Sequence, residues 1–147
     1  EQPALFIEKV ERVLGSLRGK TVGVLGLSFK PNTDDIREAS ALYIIDMLKQ
    51  RGATVQAYDP MAMDNVRRAG VDITFCEDEY DAAAGTEAVL VLTEWNRFRQ
   101  LNFSRLKRVM TGAHLFDGRN IYDPAVVRRY GLYYHGVGRQ SVSPDET

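Results

Sequence analysis

Apolar residues recur along the chain with two different spacings, and the two spacings predict different elements. In residues 3–17, apolar side chains such as Phe6 and Val10 fall at helical spacing, with charged residues between them. Residues 21–25 instead form a short, uninterrupted apolar run that ends at Gly26. Such a run is typical of a strand that is buried on both faces. The chain therefore opens with a predicted helix and a predicted strand.

The same alternation continues to residue 136. Predicted strands cover residues 21–25, 54–59, 71–76, 87–93, 113–117 and 132–136, and predicted helices cover residues 3–17, 39–52, 61–70, 80–84, 103–110 and 124–130. Strands that alternate regularly with helices indicate a parallel sheet covered by helices. We therefore predict an α/β fold, which is three-layered, Rossmann-like and doubly wound, with a mainly parallel sheet of about five to six strands.

The length of 147 residues fits one domain. We expect residues 1–18 to form a helical lead-in and residues 19–139 to form the folded domain. Residues 140–147 are polar, and we expect them to be a disordered tail.

Composition and charge argue against several kinds of partner. The net charge is −1, and the Lys and Arg residues are spread along the chain without a basic block. This pattern argues against nucleic acid and against an anionic membrane surface. The chain also lacks an apolar run long enough to span a membrane and an N-terminal signal pattern. We expect a soluble cytoplasmic protein.

Candidate catalytic residues are few. Cys76 is the one cysteine, and neither His114 nor His135 lies near it in sequence or at metal-ligand spacing. A buried structural role is the preferred interpretation of Cys76 and of His114. We find no catalytic residue and no metal site in this chain. It has the character of a binding domain and not of a complete catalyst.

In a doubly wound sheet, ligands bind beyond the carboxyl ends of the strands. Four polar clusters follow predicted strands, at residues 29–38, 58–60, 93–95 and 117–120. We expect the ligand site to be built from these clusters.

The first cluster is the richest in candidate ligand-binding groups. Lys30 and Arg37 precede a predicted helix, where free N–H groups favour an anion such as phosphate. Phe29 can pack on a sugar or a base. The glycines do not follow the GxGxxG dinucleotide pattern. Alternatively, the two cations pair with the nearby acids of the loop, which are Asp34, Asp35 and Glu38, and the loop is merely solvated.

The other clusters leave alternatives open. Asp59 either holds a ribose or stops a strand at a turn with Pro60, and the turn is the preferred interpretation. Trp95 is expected to cover the core. Arg119 either binds a ligand or is a solvated residue in an Asp-Gly turn, and spacing alone does not decide between them.

Residues 20–40, KTVGVLGLSFKPNTDDIREAS, resemble the start of the C-terminal domain of UDP-glucose/GDP-mannose dehydrogenases. Three later segments agree in order and spacing, namely AYDP (57–60), LTEW (92–95) and DGRNIYDP (117–124) followed by GVGR (136–139). The DGRN segment and the final GVGR segment are most similar to the UDP-glucose 6-dehydrogenase branch. One departure is that the family pattern R-E-S-P is replaced by R-E-A-S at residues 37–40.

The resemblance implies a role for this chain within a larger enzyme. Such enzymes oxidise C6 of a nucleotide sugar with two NAD⁺, which an N-terminal domain binds, and they dimerise through a central helix. Their catalytic cysteine lies in a G-x-C-F-P-K-D motif that this chain lacks. By the family pattern, Phe29, Lys30 and Arg119 contact the UDP-sugar, and Arg37 reaches towards the NAD. The expected partners are UDP-glucose or UDP-glucuronate, the rest of the same polypeptide and a second subunit, and the isolated chain is expected to be inactive.

Two other functions are consistent with the sequence. One is the equivalent domain of a GDP-mannose or UDP-N-acetylmannosamine dehydrogenase. The other is a stand-alone nucleotide-binding module in which Asp59 holds a ribose.

Overall fold

Across residues 2–145, which the computed structural model describes, the chain forms one six-stranded sheet in the order β3-β2-β1-β4-β5-β6, with all neighbouring strands parallel. The strands are β1 (Thr21–Leu25), β2 (Thr54–Tyr58), β3 (Thr74–Phe75), β4 (Ala88–Val91), β5 (His114–Asp117) and β6 (Tyr133–Gly136). The helices are α1 (Pro3–Leu14), α2 (Ser40–Gln50), α3 (Met63–Arg68), α4 (Glu79–Ala83), α5 (Asn96–Arg99), α6 (Phe103–Val109) and α7 (Pro124–Arg129). None of these helices is both long and apolar enough to cross a membrane.

The direction in which the chain winds reverses at the centre of the sheet. From β1 the chain passes outward through β2 to β3, and it then returns to β4 on the other side of β1. From β4 it passes outward again through β5 to β6. The loops that leave β1 and β4 therefore diverge, and the crevice between them is where doubly wound sheets bind ligands.

Two apolar cores cover the two faces of the sheet. Buried side chains of α1, α2 and α3 pack with Val22 and Val24 of β1 on one face. Buried side chains of α4 to α7 pack with Val89 and Val91 of β4 on the other face. Every residue of β4 is buried, as expected for a central parallel strand. This arrangement confirms the predicted three-layer α/β fold.

Two elements differ from the predicted pattern. Helix α5 (Asn96–Arg99) was not predicted, because a single turn with one buried residue, Phe98, is too short to show helical periodicity. Strand β3 covers only Thr74–Phe75 of the predicted residues 71–76. It is an edge strand with a short register against β2, so the apolar residues before it have no strand partner.

Both ends of the chain also differ from expectation. Phe6, Ile7 and Val10 of α1 are buried in the same core as α2, so this helix is an integral layer of the domain and not only a lead-in. In the predicted disordered tail, Val142 pairs with Tyr134 as an antiparallel bridge. Asp145 forms an ion pair with Arg128 at 2.9 Å. Residues 142–145 thus contact β6 and α7, and residues 146 and 147 of that prediction lie outside the described part.

Candidate functional site

The loop after β1 leaves the sheet beside the end of β4. Gly26 has φ of +102°, and a Cβ there would lie 2.6 Å from the Cβ of Thr93. The Thr93 hydroxyl donates to the carbonyl of Ser28 at 3.1 Å. A glycine is therefore required for the loop to start so close to β4. The contact fixes the first residues of the candidate phosphate-binding loop at the reversal point of the sheet.

Asp59 anchors the same loop from the other side. Its Oδ2 accepts hydrogen bonds from the backbone N–H groups of Leu27 at 2.8 Å and Ser28 at 3.2 Å. Its Oδ1 accepts from the N–H groups of Met61 and Ala62, each at 2.8 Å. Asp59 is 1% exposed, and both oxygens are occupied by the protein itself. These contacts support the predicted turn role and leave no carboxylate oxygen for a ribose.

The charged residues of the loop divide into paired and unpaired groups. Arg37 donates from Nε and Nη2 to the two carboxylate oxygens of Asp35, at 3.0 and 2.9 Å. These hydrogen bonds lower the pKa of Asp35 to about 2. Lys30 is exposed and makes no ion pair within residues 2–145. The pairing that was the alternative interpretation thus holds for Arg37 with Asp35. Lys30 makes no ion pair with a described residue, although its charge also helps to lower the pKa of Asp35.

The aromatic ring of Phe29 lies at the surface beside this pair. Its residue is 48% exposed, although phenylalanine is usually buried. A depression of about 300 Å³ is lined by Phe29, Asp35, Arg37 and Glu38. Glu38 has φ of +58°, which is uncommon for a residue other than glycine, and it marks the entry to α2. The family-pattern departure at Ala39 also lies here, and this N-cap position makes no side-chain hydrogen bond.

A second cavity lies between α1, α2 and the loops after β4 and β5. Its volume is about 60 Å³, and its lining residues are Phe6, Ser40, Ile44, Leu92, Gly118, Arg119 and Val137. A nucleotide sugar is far larger than this space, so the cavity can take only one part of such a ligand. Arg119 lines this cavity, whereas Phe29 and Arg37 line the other depression.

The loop after β5 holds Arg119 in place through its neighbours. Asp117 is fully buried and accepts hydrogen bonds from the N–H groups of Ile121 at 3.1 Å and Tyr122 at 3.0 Å. The hydroxyl of Tyr134 donates to the same carboxylate at 2.8 Å. Asn120, with φ of +54°, bonds to the backbone of Val137. The aspartate and asparagine of the DGRN segment are therefore structural, and Arg119 lines the cavity together with Gly118.

Arg119 has a partner that the sequence analysis did not assign. Its Nε and Nη2 donate to the two carboxylate oxygens of Glu94 at 2.8 and 3.1 Å. Glu94 follows β4 and Arg119 follows β5, and these two strands are neighbours in the sheet. The strand order would have predicted this proximity, but the sequence alone does not fix that order.

The remaining candidates are structural. Cys76 is 5% exposed, and burial raises the pKa of its thiol to about 11, which disfavours the reactive thiolate. Trp95 is 8% exposed and packs in the apolar core around β4, as predicted. His114 lies 3.0 Å from His135 between ring nitrogens, and burial lowers the pKa of both. None of these four residues lines either cavity described above.

The geometry agrees with a comparison against known families. The sequence profile of the "UDP-glucose/GDP-mannose dehydrogenase family, UDP binding domain" matches residues 23–124, which is more than half of the chain. The chain belongs to this family. The matched segment runs from β1 to the start of α7 and contains Phe29, Lys30, Arg37 and Arg119.

Named relatives agree with this family. The chain is 44% identical over 125 residues to a UDP-glucose 6-dehydrogenase of Rhizobium meliloti, covering 85% of this chain and 29% of the relative. It is 38% identical to the UDP-glucose 6-dehydrogenase TuaD of Bacillus subtilis, covering 99% of this chain and 32% of the relative. A solved UDP-glucose dehydrogenase from Pyrobaculum islandicum has a TM-score of 0.78 and 36% identity, covering 92% of this chain and 29% of that protein. The chain thus spans about a third of the length of these relatives.

Proposed function

We propose that this chain is the nucleotide-sugar-binding C-terminal domain of an NAD-dependent UDP-glucose 6-dehydrogenase. The full enzyme would convert UDP-glucose, water and two NAD⁺ into UDP-glucuronate, two NADH and protons. The observation that carries the proposal is that a cation without an ion pair in the described part of the chain, Lys30, and the cavity lined by Arg119 both lie on loops that follow strands of the matched domain. The names of relatives that are 38–44% identical favour UDP-glucose as the sugar nucleotide.

Three side chains would hold the substrate. Lys30 would meet the negative charge of the diphosphate, because it is exposed and no carboxylate of residues 2–145 pairs with it. Phe29 would offer its exposed ring to the base or the sugar. Arg119 would contact the substrate from the cavity between α1 and α2. Since that cavity is small, the rest of the polypeptide would enclose the remainder of the ligand.

The cofactor would be NAD, held mainly outside this chain. Arg37 fits a contact with it, since its side chain is 87% exposed and points away from the cores, although a phosphate would have to compete with Asp35. NAD would accept hydride from C6 of the sugar. The catalytic cysteine would also come from outside, because Cys76 is buried and its thiol pKa is raised. We further propose a homodimer for the full enzyme.

Titration calorimetry with UDP-glucose tests the proposal. We expect the chain to bind UDP-glucose more tightly than GDP-mannose and to form no NADH from UDP-glucose and NAD⁺. Lys30→Gln is expected to weaken binding about tenfold, as loss of a charge-assisted contact does. Lys107→Gln is the matched control, since Lys107 is an exposed lysine on α6, at the other end of the sheet.

Several results would refute the proposal. A chain that folds, by its circular dichroism spectrum, yet does not bind UDP-glucose would contradict the substrate assignment. Preference for a GDP-sugar would assign the chain to the GDP-mannose branch. NADH formation by this chain alone would contradict its role as an incomplete enzyme.

A further inference from the structure

Glu94 and Arg119 form a two-point ion pair at the rim of the cavity. Both carboxylate oxygens of Glu94 are engaged, by Nε and Nη2 of Arg119. The side chains are partly shielded, with 28% of Glu94 and 37% of Arg119 exposed. The planar guanidinium matches a carboxylate in this geometry, so its orientation is fixed by the pair.

The pair as a whole has no net charge, although Arg119 keeps donors that Glu94 does not use. Glu94 takes the Nε–H and one Nη2–H, and the Nη1 amino group and the second Nη2–H remain free for a ligand. A phosphate that approached these donors would also approach the carboxylate of Glu94, and the repulsion would offset the attraction. A hydroxyl or carbonyl oxygen meets no such repulsion. The geometry therefore suits an uncharged acceptor.

The candidate phosphate-binding loop after β1, in contrast, presents a cation that no carboxylate of the described chain neutralises through an ion pair. Lys30 is exposed and is not ion-paired within residues 2–145, so its charge is available to an anion. Lys30 can therefore attract a phosphate and Arg119 cannot, although both residue types bind phosphate in other proteins.

We propose that Glu94 is a specificity-determining residue that holds Arg119 in a neutral pair, from which Arg119 donates to the hydroxyl groups of the sugar, and that the diphosphate is bound by Lys30. The inference rests on the proposed function, because it assigns parts of a nucleotide sugar to the two residues. Glu94 does not itself contact the substrate in this arrangement. It is a positioning residue that acts through Arg119.

Calorimetry with three ligands separates these roles, using UDP-glucose, UDP and inorganic pyrophosphate at low and moderate salt. In the unmodified chain, UDP-glucose is expected to bind more tightly than UDP. Arg119→Gln is expected to remove this sugar increment. Because it leaves the carboxylate of Glu94 unpaired, it should also lower the affinity for UDP and pyrophosphate, by up to about fivefold at low salt and less at moderate salt. Glu94→Gln is expected to remove the increment as well. It also exposes the charge of Arg119, so affinity for UDP and pyrophosphate rises about fivefold at low salt and less at moderate salt.

Two further variants complete the experiment. The double variant Glu94→Gln/Arg119→Gln is expected to return pyrophosphate affinity to that of the unmodified chain, because no uncompensated charge remains. Glu11→Gln is the matched control. It breaks the 2.7 Å ion pair between Glu11 and Arg51, whose side chains are about as exposed as those of Glu94 and Arg119. Arg51 lies at the C-terminal end of α2, whereas the cavity lies at the N-terminal end, so this variant should change none of the affinities.

The possible contrary results have distinct meanings. If the double variant weakens the binding of UDP and pyrophosphate as much as that of UDP-glucose, Arg119 binds phosphate and the inference is wrong. If Glu94→Gln changes no pyrophosphate affinity, Glu94 does not neutralise Arg119. If the unmodified chain binds neither UDP nor UDP-glucose, the proposed function fails. The pyrophosphate measurements on Glu94→Gln and the double variant still decide whether Glu94 cancels the charge of Arg119.

Discussion

Asn120 binds both backbone groups of Val137. Its Oδ1 accepts from the Val137 N–H at 2.8 Å, and its Nδ2 donates to the Val137 carbonyl at 2.7 Å. The side-chain amide thereby substitutes for a strand neighbour and joins the loop after β5 to the loop after β6. Val137 lines the same cavity as Arg119, and Asn120 directly follows Arg119 in the chain. The position of Arg119 thus depends on a contact made by the next residue in the chain.

Replacement of Asn120 is expected to lower both stability and ligand affinity. Asn120→Ala loses both hydrogen bonds and places alanine at φ of +54°, so we expect a loss of about 2 kcal/mol in the free energy of unfolding. Asn120→Gly loses the same bonds but tolerates the positive φ, so its loss should be smaller. Urea unfolding measures both variants. Equal stability of the alanine and glycine variants would show that the backbone conformation at residue 120 is not strained.

Asp59 is expected to contribute to stability and not to ligand chemistry. Asp59→Asn keeps the size of the side chain but places an amino group where backbone N–H groups donate. We expect a loss on the order of 2–4 kcal/mol in the free energy of unfolding. The control Asp64→Asn breaks an exposed ion pair with Arg67 and should cost less than about 0.5 kcal/mol. If Asp59→Asn keeps full stability but loses nucleotide binding, the ribose interpretation is correct after all.

The elements of the fold could be predicted because each apolar pattern is local. The apolar run over residues 21–25, which ends at Gly26, predicts β1 even when the neighbours of that strand are unknown. Contacts between distant loops could not be predicted in this way. Glu94 and Arg119 meet because β4 and β5 are adjacent, and the sequence does not state that order. In the same way, the sequence position of Asp59 at the end of a strand is also that of a ribose-binding acid. Only the hydrogen bond from the distant Leu27 N–H shows that the carboxylate binds the protein itself.

Cys76 is expected to react slowly with thiol reagents. Burial raises the pKa of its thiol from 9.0 to about 11, so the thiolate fraction near pH 8 falls by about 100-fold. Reaction with Ellman's reagent should therefore be slow in the native chain and should reach the rate of a free thiol in urea. Cys76→Ala is expected to keep the affinity for UDP-glucose. A native rate equal to the rate in urea would show that the thiol is accessible and that its pKa is not raised.

The pair of histidines on β5 and β6 is expected to make the domain less stable in mild acid. Burial is the main cause that lowers the pKa of His135 from 6.5 to about 4, and His114 and Lys9 add repulsion to its charged form. Between these two values the unfolded chain binds a proton at residue 135 and the folded chain does not. The stabilising contribution of the neutral imidazole is thus fully present above pH 6.5, and it is lost as the pH falls towards 4, by up to about 3 kcal/mol. Urea unfolding at several pH values measures this slope. His135→Gln, which cannot titrate, should show a shallower slope between pH 6.5 and 4 than the unmodified chain. Identical slopes would mean that His135 titrates alike in the folded and unfolded chains, in which case its imidazole is not buried in solution.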